Sequence, residues 1–457
     1  MAYSVKQAND YITANVKSVS GKFKPKYHMT APIGWMNDPN GLVHYKGQYH
    51  LFYQYNPYGE EPGVMHWGHF TSNDLVAYSD AGVALAPTEK DEISCFSGGA
   101  IVAGGALNIL YTRHYEISDI KKEKVCMVRS TDGVTFVKKH HPVFNNETLP
   151  KNISRADFRD PFPIMLHDKF YVFVGGRDDE TDKGVVVVLC GQSLEKLEYA
   201  FTIGPFDALG DMAECPCYAK VDGKDVLVVS GCHVEEKGND YKNTHISAFI
   251  VGNIDFEKGT MAVDFIKEID KGDAFYAPQV INNAEKPIIV GWHEMWNKSY
   301  PTRDMSHGWV GSFTVPRELK LCDGDIIQMP IVELDKYLKP DCDIGGVIPK
   351  CADIRATFDG EGAITIQGSN GQLVIGSDGG VYLDTVNAAN GNGCIRRTNG
   401  TYASASVRIL LDMSGIELFV DGGKEVISSR MYIDGDFTLS VDGNVKDITI
   451  KEIGVPV

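Results

Sequence analysis

Three acidic residues of this chain each lie within two positions of a proline. They are Asp38 in Trp35-Met36-Asn37-Asp38-Pro39-Asn40-Gly41, Asp160 in Phe158-Arg159-Asp160-Pro161, and Glu214 in Glu214-Cys215-Pro216. Singly, an Asp-Pro or Asn-Gly pair is a turn. In one confined pocket, however, three carboxyls cannot all behave as free acids. Repulsion and burial raise at least one pKa, while a neighbouring arginine or hydrogen bonds keep others ionised. Arg159, beside Asp160, is expected to hold Asp160 ionised. A protonated carboxyl next to an ionised one is the equipment for breaking a glycosidic bond: one acts as general acid on the leaving oxygen, the other faces the anomeric carbon. Trp35, Trp67, Phe96, Tyr276 and Trp292, in the same segments, offer apolar faces to a sugar ring, although each alone reads as core packing.

A repeat is what must gather these acids. Polar or acidic motifs at Asp38, Ser97, Asp160, Glu214 and Tyr276 are separated by 59, 63, 54 and 62 residues. Each is followed by a dense apolar strand: HLFYQ from His50, NILYT from Asn108, YVFVG from Tyr171, VLVVS from Val226 and IIVGW from Ile288. Hairpin signals stand between motif and strand at Lys46-Gly47, Gly104-Gly105, His167-Asp168, Asp222-Gly223 and Asn282-Asn283. Five copies of one strand-rich unit predict an all-β chain built as a five-bladed β-propeller, in which the first strand of each blade lines the central axis. Proline removes a ladder donor, so it suits the start of such an inner strand, with the acid facing the axis.

At 457 residues the chain is long enough for two cores. Pro340, Gly345, Gly346 and Pro349 mark a connection, and all five Trp and all 13 His lie at or before residue 309. Beyond it, short alternating strands such as Ile364-Thr365-Ile366 and Ile416-Glu417-Leu418-Phe419-Val420, separated by Gly, Asp and Asn turns, predict a C-terminal β-sandwich. The expected division is a polar extension over 1–25, the propeller over 26–335, a linker over 336–350 and the sandwich over 351–457.

A net charge of −17 with no basic patch excludes nucleic acid and anionic membrane as partners. No apolar window long enough to span a bilayer occurs. The polar N-terminus and ten irregularly spaced cysteines read as a cytoplasmic protein with reduced thiols. Cys215-Pro216-Cys217 with Cys232-His233 could be read as a zinc site, but the spacing favours thiols packed on strands. No metal and no cofactor are expected, and the oligomeric state is not legible.

With these residues in view, the chain resembles glycoside hydrolase family 32, the invertase and fructan-hydrolase family. The likeness spans nearly the whole length and rests on WMNDPNG (35–41), FYQYNP (52–57), MHWGH (65–69), FSGG (96–99), FRDP (158–161), ECP (214–216), FYAPQ (275–279), PREL (316–319) and the stretch 406–432. It implies a five-bladed propeller followed by a β-sandwich, and a retaining β-fructofuranosidase acting on a fructose-containing oligosaccharide. By motif, Asp38 is the nucleophile, Glu214 the general acid and then base, and Asp160 the transition-state stabiliser. Asn37, Gln54, Trp67, Phe96, Ser97, Arg159, Tyr276 and Trp292 line the fructose subsite. Ala213 and Cys217 replace an aromatic and an acidic residue usual around the Glu-Cys-Pro motif, and 74–80 lacks the usual tryptophan. These departures fall on the leaving-group side and leave sucrose, sucrose 6-phosphate and short fructo-oligosaccharides as open substrates. Arg113, Arg177 and Arg303 are the candidates for holding a phosphate. A fructosyltransferase using the same acids, and a non-catalytic fructan-binding propeller, are the competing readings.

Overall fold

The structure, a computed structural model, describes residues 3–89, 91–117, 120–343, 345–388 and 391–454; the expected outer boundaries at residues 1 and 457 lie outside them. Five four-stranded antiparallel sheets form five blades. Their inner strands are Gly34–Tyr45, Ser94–Ala103, Ile153–Leu166, Met212–Val221 and Tyr276–Val280, here assigned to blades I to V. Each inner strand touches the next, and that of blade V touches that of blade I, so the ring closes. A short strand from the last blade, Trp309–Val310, pairs in parallel with Gly34 and Trp35 and ties the two ends.

Four of the five hairpin signals are two-residue turns in which both residues have positive φ: Lys46-Gly47, Gly104-Gly105, His167-Asp168 and Asp222-Gly223. This is the backbone that a right-twisted hairpin requires. The fifth differs. In blade V the ladder stops at Val280–Ile289, and Asn282-Asn283 sits in a longer connection.

Proline is also placed differently from the expectation. Pro39, Pro161, Pro216 and Pro278 lie in the middle of their inner strands, at a break in register with the second strand. Blade II has the same break between Phe96 and Gly98. A β-bulge leaves one residue out of the ladder and bends the strand, so a residue without an N–H costs nothing there. The residues just before three of these prolines, Asp160, Cys215 and Ala277, take φ of 64°, 48° and 47°. Such left-handed backbone is unusual without glycine and re-aims the neighbouring side chains.

The C-terminal region is a two-layered sandwich. Two long strands, Ala352–Gln367 and Phe437–Ile453, pair with each other and run through both layers. They bend near Gly360 and Gly443, both at positive φ. One layer adds Ala405–Asp412, Gly415–Val420 and Glu425–Arg430; the other adds Gln372–Ser377, Val381–Asp384 and Ile395–Arg397. Within the expected linker, Leu338–Asp341 and Val347–Ile348 pair with the last strand. Pro340 and the glycines therefore mark an edge of this sheet, where a missing donor is tolerated.

The seam between propeller and sandwich is polar and dry. Arg317 is 0% exposed and donates to Asp270 (2.9 Å), Gln328 (3.0 Å), Ser428 (2.8 Å) and Glu417. His28 places Nδ1 3.0 Å from Asp412 and Nε2 2.8 Å from Glu417. The backbone N–H groups of Lys26, Tyr27 and His28 also donate to Asp412. Among the described residues, no helix is long and apolar enough to cross a membrane.

Candidate active site

The bulges bring residues from all five blades to one end of the axis. Asp38 accepts a 2.7 Å hydrogen bond from the Ser97 hydroxyl at Oδ2, while its buried Oδ1 has no hydrogen-bond partner. Asp160 accepts the Cys215 backbone N–H at 2.9 Å, and its own N–H donates to Thr112 Oγ1 at 2.8 Å. The Cys215 thiol lies 3.7 Å from Asp38 Oδ2 and 3.6 Å from Asp160 Oδ2, so a single sulfur touches both carboxylates. Glu214 is held at both oxygens: Arg159 Nη2 donates to Oε1 at 2.6 Å and the Tyr276 hydroxyl to Oε2 at 2.6 Å.

Arg159 therefore does not act as expected. Its guanidinium turns to Glu214, with Glu123 at 3.3 Å and Asp157 at 3.4 Å behind it. Burial would raise the pKa of Glu214, but the charge of Arg159 and hydrogen bonds from Tyr276 and Arg159 hold it down to about 2. For Asp160 burial wins: despite the charge of Arg159, and helped by repulsion from Glu214 and Asp38, its pKa rises to about 7. Burial also raises Asp38, against hydrogen bonds from Ser97 and Asn37. The empty site thus holds an ionised Glu214 beside an Asp160 that keeps its proton up to near neutrality. Three like charges have been pushed apart by environment.

The other expected residues divide into those that touch the acids and those that stand behind them. Ser97, Arg159 and Tyr276 hydrogen-bond to the carboxylates directly, while Asn37, next to Asp38 in the chain, accepts the Trp35 indole N–H at 2.8 Å. Gln54 spends its amide on the Cys95 carbonyl (2.9 Å), and the Trp67 indole donates to the Phe96 carbonyl (3.1 Å). Phe96 stacks on His114 with ring centroids 4.3 Å apart. Trp67 and Trp292 are each 0% exposed, so neither presents surface to a ligand here. They back the wall of the site.

Thr112, Glu123 and Trp296 were not singled out from the sequence, and Cys215 was weighed there only as a metal ligand or a packed thiol. A signal for Thr112 existed. It is the fifth residue of NILYT, as Gln54 is of HLFYQ and Trp292 of IIVGW, and in blades II to V this position pairs opposite the motif: Phe96–Thr112, Arg159–Gly175, Glu214–Ser230 and Tyr276–Trp292. Glu123 gave none, lying in a lysine-rich strand that reads as solvated.

The thiols whose spacing could be read as a zinc site do not share a centre. Cys215 faces the aspartates, Cys217 approaches the Cys215 and Pro278 carbonyls, and Cys232 lies 3.5 Å from the Tyr276 hydroxyl. Elsewhere, His28, His293 and Glu417 offer ligand atoms within 4.8 Å of one another. His28 already spends both ring nitrogens on carboxylates, and His293 Nε2 faces the Ser429 carbonyl at 3.0 Å. These residues belong to the seam.

The sequence matches the Glycosyl hydrolases family 32 N-terminal domain over residues 28–330 and the Glycosyl hydrolases family 32 C terminal over 360–453. The chain belongs to glycoside hydrolase family 32. Its family-32 relatives include a sucrose-6-phosphate hydrolase of Escherichia coli, 30% identical over 90% of this chain and 89% of the relative. A raffinose invertase of Escherichia coli is 31% identical over 90% of each chain. Among solved structures, a mutant of a Bombyx mori GH32 beta-fructofuranosidase in complex with sucrose superimposes with a TM-score of 0.89, at 31% identity over 99% of each chain. A family-32 chain is a glycoside hydrolase, and the five blades followed by a sandwich agree with the repeat count read from the sequence.

Proposed function

We propose that this chain is a retaining β-fructofuranosidase that hydrolyses terminal non-reducing β-D-fructofuranosides such as sucrose and short fructo-oligosaccharides. The observation that carries the reading is the gathering of three carboxyls, Asp38, Asp160 and Glu214, around Cys215. Asp38, hydrogen-bonded by Ser97 at Oδ2, attacks C2 of the fructosyl unit through a carboxylate oxygen. Glu214 opens onto the adjoining cavity. It protonates the departing oxygen and, in the second step, takes a proton from water. Asp160, which shares the Cys215 thiol with Asp38, holds fructose hydroxyls and opposes the positive charge of the oxocarbenium-like transition state. Asn37 and Arg159 orient the ring, while Gln54, Trp67, Phe96 and Trp292 shape its pocket.

Glu214 must gain a proton before it can act, and the empty site holds it ionised. A bound fructosyl unit displaces water and draws the Arg159 donors toward its hydroxyls. Stripped of that partner and desolvated, Glu214 favours its neutral form. The proton held by Asp160 in the empty site is then released, leaving the carboxylate that the transition state needs. The trio titrates as one unit, so proton positions belong to the cluster and not to a single member. All ten cysteines are unpaired, which fits a reducing cytoplasm.

The test is product analysis with sucrose and with inulin-type and levan-type oligosaccharides, in buffer containing methanol. Fructose together with methyl β-D-fructofuranoside is expected, because a double displacement retains configuration. An α-configured methyl product, or no cleavage, overturns the reading. Products longer than the substrate point to transfer instead of hydrolysis.

A further inference from the structure

Beside Glu214 lies a cavity of about 400 Å³ that Asp38 and Asp160 do not line. Trp296 and Asn297 from blade V, Arg177 from blade III, and Asp211, His233 and His245 around blade IV form its walls. A unit leaving on the oxygen that Glu214 protonates has this space before it. We infer that the cavity is the leaving-group subsite, that it takes a neutral sugar ring seated on Trp296, and that it disfavours a phosphorylated one. The inference rests on the β-fructofuranosidase reading and names the substrate class within it.

The aromatic platform is held rigidly. Trp296 is partly buried, stacked on Trp35 at 5.7 Å with planes 27° apart and tilted against Trp292 at 4.7 Å. Those two indoles are wholly buried, so the surface that Trp296 leaves to the cavity is fixed in place. A flat apolar face of this kind suits the C–H side of a sugar ring.

The charges point away from an anion. Three carboxylates line the cavity (Asp157, Asp211 and Glu214) against two arginines. Both arginines are paired with carboxylates, Arg159 with Glu214 and Glu123 and Arg177 with Asp182 and, at 3.9 Å, Asp179, while the buried Arg177 Nε makes no hydrogen bond. His233 is 3.0 Å from Asp211, and Arg303, nearby in sequence, pairs with Glu61 and Asp304. Arg113 lies on the ring of Tyr115. A phosphate brings nearly two negative charges and has to break ion pairs to find a cation. Hydroxyls do not. Asn297, exposed on the cavity wall with Nδ2 3.2 Å from His245 Nε2, offers an amide that both donates and accepts. Burial lowers the pKa of the His245 imidazole, which favours its uncharged form.

The experiment compares kcat/KM for sucrose, sucrose 6-phosphate and methyl β-D-fructofuranoside in the parent enzyme and in Trp296→Ala. Sucrose is expected to exceed sucrose 6-phosphate at least tenfold in the parent. Trp296→Ala is expected to lose at least tenfold on sucrose, mainly through KM. Its loss on the methyl fructoside, whose leaving group is too small to reach the indole, is expected to be at least fivefold smaller. Equal or better use of sucrose 6-phosphate overturns the charge argument. Equal loss on both fructosides overturns the platform, since Trp296 then acts by propping Trp35 and Trp292. Should the variant fail to fold, inhibition of the parent decides: glucose is expected to inhibit more strongly than glucose 6-phosphate, and the reverse order overturns the inference. A parent enzyme inert toward all three fructosides overturns the activity itself, whereas cleavage with a preference for the phosphorylated sugar overturns only this inference.

Discussion

Replacing Asp160 with asparagine should make the protein more stable at pH 8 and nearly inactive. Asp160 is 6% exposed, and its pKa rises from 3.8 to about 7 because burial and neighbouring carboxylates disfavour its charge. Between those two values the folded protein keeps a proton that the unfolded chain has lost. Stability therefore falls as pH rises through that window: the cost is absent below about pH 4 and complete above about pH 7. At 1.36 kcal/mol per pKa unit, the cost at pH 8 is on the order of 4 kcal/mol, an upper bound. The amide of Asp160→Asn has no charge to bury and still accepts the Cys215 N–H. With an unfolding entropy of about 2.1 cal/mol/K per residue over the 457 residues of the chain, the gain corresponds to a Tm rise of up to about 4 °C. Thermal and urea unfolding of both proteins at pH 4.5, 6 and 8 measure it, and kcat is expected to fall by about 10²–10³. A stability difference between the two proteins that does not grow with pH refutes the reasoning, because no cost of ionising Asp160 would then exist.

Asp38→Asn should lower kcat on sucrose by at least about 10⁴ without lowering Tm at neutral pH, the loss seen when a nucleophile is removed; turnover at the parent rate would show that another group attacks C2. Glu214→Gln should lower kcat most for fructosides with poor leaving groups and least for those with activated ones, so an equal loss across a leaving-group series counts against its acid role. Tyr276→Phe removes the 2.6 Å hydrogen bond to Glu214, one of the contacts that keep that carboxyl ionised. A hydrogen bond to a charged group contributes about 1.5–3 kcal/mol, so the basic limb of the kcat/KM profile should move up by about one to two pH units, and an unmoved limb would contradict the pairing. Arg317→Met strands Asp270 and Glu417 in the seam and should destabilise by about 3–5 kcal/mol in urea unfolding, with a loss under about 1 kcal/mol contradicting the description of that network.

The blade count and the gathering of Asp38, Asp160 and Glu214 were legible because both rest on spacing, which survives folding. Direction was not. Reading Arg159 as the partner of Asp160 assumed that chain neighbours share an environment. The left-handed backbone at Asp160 and the bulge beside it break that assumption, and Arg159 reaches the next blade instead. The prolines carried a trace of this, since four of them stand at bulges, but a proline at a bulge and one at a strand end look alike in sequence. Trp67 and Trp292 were expected to line the fructose subsite, yet both are wholly buried, through cross-blade packing that no local pattern encodes. The seam was also hidden. His28, Asp412, Glu417 and Arg317 are far apart in the chain and carry no common motif.

That seam has a consequence for how the two lobes can be handled. Cations on the propeller side are neutralised by acids that the sandwich contributes, so a cut near residue 345 would leave each fragment with bare charges on a face that was dry. The lobes should melt together in one calorimetric peak. Grafting a foreign sandwich onto this propeller would succeed only where the graft carries equivalents of Asp412 and Glu417.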